Sequence, residues 1–337
     1  MRKSFFLFLL ILLSSIPGFS QPSIKTLATN EGYQMQIELK TVKNTVMLDE
    51  PAVIIFEIRT PQNLCPPIND FLTNIGKPER YQITITRDED KTVLPFMVKA
   101  SRSGLSGCYS DVAAESRYYR KVVLPSPQAF EKVGNYTITL KQEIETANSL
   151  SKIKNSLTVE VSASIKVIPT DDRKLGELIE TFGEKMLALD EDAAMFFPAI
   201  KDKRTIKYHL RFLEKNKEIE SPFRYDFTLM KMRTIWSLSF YNDDSAFEAI
   251  RNMMSSPNER VRDAVAGALF SSPHPKALSL LLSMQNDEEA AVRLLVVHGL
   301  GKIKTDETTA RLREMLKDAD EKVKANAQEY LDKRGQK

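Results

Sequence analysis

The sequence predicts two different halves, an antiparallel β-sandwich followed by an α-helical repeat array. Three observations carry this expectation. From Gln21 to Pro169 the apolar residues recur with a period of two, and beyond Thr170 they recur at helical spacing. In the last third, one short pattern returns every 31 residues. Alternation buries one face of a strand, whereas steps of three and four bury one stripe of a helix. A fixed period of this size is the mark of stacked repeats. At 337 residues the chain is long enough for each half to have its own core.

Residues 1–20 read as an export signal. Arg2 and Lys3 are basic, Phe5 to Leu13 are unbroken apolar residues, and Gly18-Phe19-Ser20 puts small residues at positions −3 and −1 of a cleavage site. Nine apolar residues are too few to cross roughly 30 Å of hydrocarbon as a helix, so cleavage before Gln21 is expected. No cysteine stands at the cut, which speaks against a lipid anchor. No later segment offers a membrane span. The formal charge of +3 includes the two basic residues of the leader. Without a basic stripe, nothing points to nucleic acid or an anionic membrane. Cys65 and Cys108 are the two cysteines. In an exported chain such a pair is expected to form a disulfide.

The sandwich is assigned to residues 21–169. Tyr33, Met35, Ile37 and Leu39 alternate with polar residues, as do Tyr81, Ile83 and Ile85, and Tyr136, Ile138 and Leu140. Leu157 to Val167 is the longest such run. Val53–Arg59 and Tyr118–Leu124 add two further strands. Asp49-Glu50-Pro51, Asp88-Glu89-Asp90 and Gly134-Asn135 supply turn chemistry between runs. Six or seven antiparallel strands with no helix between them make a sandwich. Pro61 to Pro78 and Ser101 to Cys108 read as loops that the cysteines would join. Leu48 to Val53 resembles the opening strand of immunoglobulin-like domains in exported bacterial proteins, and Phe130 to Ile138 resembles a late strand of theirs. That resemblance implies an immunoglobulin-like fold and a role in binding or spacing.

Residues 170–337 are assigned to helices. Thr170 or Asp171 can cap a first helix carrying Leu175, Leu178, Ile179, Phe182, Met186 and Leu189. Asp190-Glu191-Asp192 lacks the glycine and distal glutamate of a calcium loop and reads as a solvated turn. Ile206, Leu210 and Leu213 mark a second helix, and Glu214 to Arg224 an insertion with a helix start at Ser221-Pro222. From about residue 225 the repeats are regular. Val261-Arg262, Val292-Arg293 and Val323-Lys324 are successive copies, with Leu269, Leu300 and Leu331 in register. Leu281 with Leu312 and Met284 with Met315 keep the step; Phe247, Ile250 and Met253 extend it backwards. Ser256-Pro257-Asn258-Glu259 reads as an N-cap serine with proline first and glutamate third, and Ser272-Pro273-His274-Pro275 as the turn within a helix pair.

Asn258 to Arg262, Glu289 to Arg293 and Asp320 to Lys324 resemble the signature of short HEAT repeats of the phycobilisome-lyase type. The resemblance implies an α-solenoid whose signature charges link neighbouring units. It also implies that second helices, here about Ala246–Met254, Lys276–Met284 and Asp306–Leu316, line a concave binding side. Positions between their buried stripes select Arg251, Asn252, Ser279, Ser283, Arg313 and Glu314 as a protein-binding row.

No local motif for catalysis emerges. His209, His274 and His298 have no metal-ligand spacing, Ser149-Leu150-Ser151-Lys152 lacks its companion motifs, and no glycine loop for phosphate is present. Asn135-Tyr136-Thr137 matches a glycosylation sequon only by chance, and Trp236 on an apolar helix is expected in the core. No catalytic, cofactor or metal residue is therefore nominated. The expected function is an exported, non-enzymatic scaffold in the periplasm or outside the cell, with a protein partner of the envelope. The alternative is an envelope enzyme whose acid–base groups come from scattered loops.

Overall fold

A computed structural model describes residues 23–28, 34–61, 81–94, 106–110, 115–125, 129–147, 154–216 and 225–335. The chain divides into two compact units, Met1–Leu175 and Gly176–Lys337. The leader 1–20, Cys65 with its proposed bridge to Cys108, the Ser-x-x-Lys stretch and Ser221-Pro222 fall outside the described residues.

The first unit is built from β1 (Ser23–Ala28), β2 (Gln34–Thr41), β3 (Thr45–Met47), β4 (Ala52–Pro61) and β5 (Tyr81–Arg87). It continues with β6 (Val93–Leu94), β7 (Ser106–Ser110), β8 (Glu115–Leu124), β9 (Gly134–Ala147) and β10 (Lys154–Ile168). Among the described residues these form two five-stranded sheets, β1-β2-β4-β8-β7 and β3-β10-β9-β5-β6. Both sheets feed one apolar cluster, through Ile37, Leu39, Ile54 and Phe56 of one and Ile85, Ile138, Val161 and Ile165 of the other. The alternating residues are the buried ones, as period two requires.

Three expectations need correction. Among the described residues ten strands stand where six or seven were anticipated: β3 and β6 span only three and two residues, too few to show a period, and β1 and β7 add two more. Pairing is not wholly antiparallel: β3 runs parallel to β10, held by Lys166 N donating to Asn44 O and Leu48 N to Ile168 O, both at 2.9 Å. Cys108 is not in a loop but in β7, opposite Tyr118 of β8. Serine and glycine are poor strand formers, yet this edge strand is held by its backbone ladder. At the start of β9, Gly134 has φ +149°, and a Cβ there would lie 2.9 Å from the Glu89 carboxylate. That carboxylate accepts from Asn135 N at 2.7 Å, fixing the turn to the strand.

The chain enters the helical unit along α1 (Asp172–Leu187). Asp171 caps it by accepting from Lys174 N at 3.1 Å, whereas Thr170 donates to Asp49 at 2.6 Å. Leu189 lies beyond the helix at φ +65°. Asp190-Glu191-Asp192 is solvated as expected, but it opens a helix: Asp190 accepts from Ala193 N at 2.8 Å and caps α2 (Glu191–Phe196). Two 3₁₀ turns, Phe197–Ala199 and Lys203–Thr205, lead to α3 (Ile206–Lys215). Then come the pairs α4 (Tyr225–Leu238) with α5 (Asp244–Arg251), α6 (Glu259–Ser271) with α7 (Ala277–Leu282), and α8 (Ala290–Lys302) with α9 (Asp306–Met315). α10 (Glu321–Gly335) follows in register.

The first helices α4, α6, α8 and α10 pack in succession, and α4, α6 and α8 each also pack against their second helix. The 31-residue register appears as burial. Val261, Val292 and Val323 are at most 1% exposed, and Phe247, Ile250, Leu281, Met284, Leu312 and Met315 are all buried. Leu331, with no further pair beyond α10 among the described residues, is only half-buried. The cap of α6 falls two residues later than expected. Asn258 Oδ1 accepts from Arg260 N at 3.0 Å, while Ser256 Oγ accepts from Asn258 N at 3.3 Å. Asparagine caps as well as serine does, and α6 begins at Glu259, so it is Asn258 that stands next to the free N–H groups.

Candidate functional site

Two repeated arginines fix the helix pairs to each other. Arg262 donates Nε to Asp287 Oδ2 at 2.9 Å, Nη2 to Oδ1 at 3.2 Å, and Nη1 to Ser256 O at 2.9 Å. One period later, Arg293 donates to Asp318 at 2.7 and 2.8 Å and to Asp287 O at 2.8 Å. The carboxylates lie immediately before α8 and α10, so each arginine of one pair holds the entry of the next. Hydrogen bonding from Arg293 holds the Asp318 carboxyl below its ordinary range. The acidic partners were not picked out from the sequence, although Asp287 and Asp318 keep the 31-residue step. Lys324 closes the series with a local pair to Glu321.

On this frame the nominated row is presented by α5, α7, α9 and the residues that end them. Arg251, Asn252, Ser279, Ser283, Arg313 and Glu314 are all exposed. Their chemistry is unequal. Ser279 Oγ and Ser283 Oγ donate back to Lys276 O at 2.9 Å and Leu280 O at 2.6 Å, which occupies their protons. Arg251 pairs with Glu248 at 3.1 Å across one turn, both being about half exposed at 58% and 49%. Arg313 has no ion pair among the described residues. The serine protons are thus taken up locally, whereas Arg251, Asn252, Arg313 and Glu314 present exposed polar side chains.

The three histidines serve packing. His209 is wholly buried against Phe197 with Nε2 3.0 Å from Ser237 Oγ, and burial pushes its pKa down to about 3. His274 stacks on Phe247 at 4.0 Å and meets Asp244 Oδ1 at 3.1 Å, tying α5 to the turn before α7. His298 Nδ1 lies 3.2 Å from Tyr330 Oη, with its pKa lowered by burial. Among the described residues no cluster of His, Cys, Asp and Glu could hold a metal ion. None of their helices is long and apolar enough to cross a membrane. Trp236 is not in the core as expected, being 39% exposed.

A family model described as HEAT repeats matches residues 280–337, from the end of α7 through α10. The C-terminal region is thus HEAT-like over the stretch that holds Val292, Val323 and the Arg293–Asp318 pair. No curated protein matches the chain.

Proposed function

We propose that the chain is an exported, non-enzymatic scaffold. In this reading the two sheets form an immunoglobulin-like sandwich and the helix pairs a HEAT-like solenoid, and α5, α7 and α9 receive a protein partner in the periplasm or cell envelope. HEAT repeats commonly mediate protein–protein interaction, and stacked pairs present extended surfaces to partners. The observation that carries the proposal is the exposed row on helices whose spacing is fixed by the Arg262–Asp287 and Arg293–Asp318 pairs. A non-enzymatic role is favoured by histidines committed to packing and by the enclosure of His209, the most strongly shifted of them.

The test is affinity capture from envelope extract, with the mature chain beginning at Gln21 as bait. Arg251→Ala with Arg313→Ala should reduce capture at least about tenfold, since binding energy concentrates in few residues and arginine is often among them. The melting temperature should stay within a degree or two, because exposed arginines contribute little to stability. Undiminished capture by the double variant would remove the row from the binding function. Recovery of an intact leader from cytoplasm would remove export.

A further inference from the structure

The first helices carry a different surface. The 31-residue register makes Met232, Asp263 and Leu294 equivalent positions on α4, α6 and α8, with Trp236, Gly267 and His298 four residues further on. The six-membered ring of Trp236 lies against Gly267, where an added Cβ would come within 2.6 Å of it. Glycine at 267 is what gives the indole its seat on α6. Asp263 stands four residues earlier on α6, hence on the same face as that seat. It occupies a place where the neighbouring pairs have methionine and leucine. Burial raises its carboxyl pKa, and no nearby charge offsets that burial.

Aromatic rings elsewhere in the helical unit already hold lysines. Lys201 Nζ lies 3.5 Å from the centroid of the Phe240 ring, and Lys302 Nζ 3.3 Å from that of Phe270. Indole attracts cations more strongly than a phenyl ring does. Among the described residues, Trp236 is covered by no cation and Asp263 is paired with none.

We propose that Trp236 and Asp263 form a receptor for a lysine or arginine side chain of a protein partner. The aliphatic stem crosses the indole and the charged head reaches the carboxylate. A phosphate would meet charge of its own sign here, and a purely apolar peptide would bury the carboxylate without compensation. The receptor is separate from the row on α5, α7 and α9 and does not rest on it.

Trp236 is the single tryptophan of the chain, so tryptophan emission reports on this place alone. The full mature chain is titrated with hexalysine at low ionic strength, and with hexaglutamate as control. Hexalysine should change the emission saturably and hexaglutamate should not. Asp263→Asn and Asp263→Ser each remove the charge, so either can decide if the other fails to fold. Both should weaken the apparent affinity by about tenfold, the scale of one charge-assisted contact. Asp263→Glu should retain the response. An unmoved emission, or equal affinity without the Asp263 charge, overturns the proposal. An emission shift on concentrating the protein alone would give the surface to a second copy and overturn it too.

Discussion

His209 shows how one residue can set the acid response of the helical unit. An unfolded histidine takes up its proton near 6.5, whereas buried His209 resists until about 3. Between those values the unfolded state binds the extra proton. The contribution of His209 is therefore complete above the upper value and is lost as pH falls toward the lower one, by up to about 1.4 kcal/mol per pH unit. Urea melts between neutral pH and pH 4.5 should show this decline, and His209→Gln should flatten it. Equal slopes would mean that the imidazole is not held neutral by burial. The sequence showed His209 in a helical pattern but not its enclosure, which depends on Phe197 and Ser237 arriving from other elements. Trp236 failed for a related reason: an apolar helix has a face, and only packing against Gly267 shows that this ring sits at its edge.

At the level of elements, legibility followed length and repetition. β9 and β10 are legible where alternation is regular, over Tyr136–Leu140 and Leu157–Val167, while β3 and β6 are too short to carry any. β7 was hidden because its serine and glycine say loop while its backbone pairs with β8. The repeat register was the most legible feature, since one physical demand, burial between successive helices, recurs at a fixed step. It yields a sharp contrast within one segment. Val292 is 0% exposed on α8. Val292→Asp would bury an unpaired charge and should cost about 3 kcal/mol or more. Glu288, just before α8, accepts from Arg262 Nη2 at 2.8 Å but has a side chain 78% exposed. Glu288→Ala should therefore cost under about 1 kcal/mol, as exposed pairs do. Comparable losses in thermal melts would mean that the register is misplaced.

For the molecule as a whole, the question is whether two cores behave as two cooperative systems. The sheets bury their own apolar cluster, and the helix pairs bury theirs along the 31-residue register. Each unit has a lever that acts on it alone. Arg293→Ala leaves Asp318, only 7% exposed, without its partner inside the helical unit. Breaking such a buried pair costs about 3 kcal/mol. The proposed Cys65–Cys108 bridge would belong to the first unit, and closing a loop of that size contributes about 4 kcal/mol in the chain-entropy model. Calorimetry of the mature chain should then resolve two transitions. Arg293→Ala should lower one of them and reductant the other, with mass spectrometry after alkylation confirming that the thiols were paired beforehand. Two freely alkylated cysteines in exported protein would reject the bridge and leave reductant without effect. A single transition that moves under both treatments would instead show that the units unfold together. In that case Arg251 and Arg313 could no longer be tested without also watching the stability of the sheets.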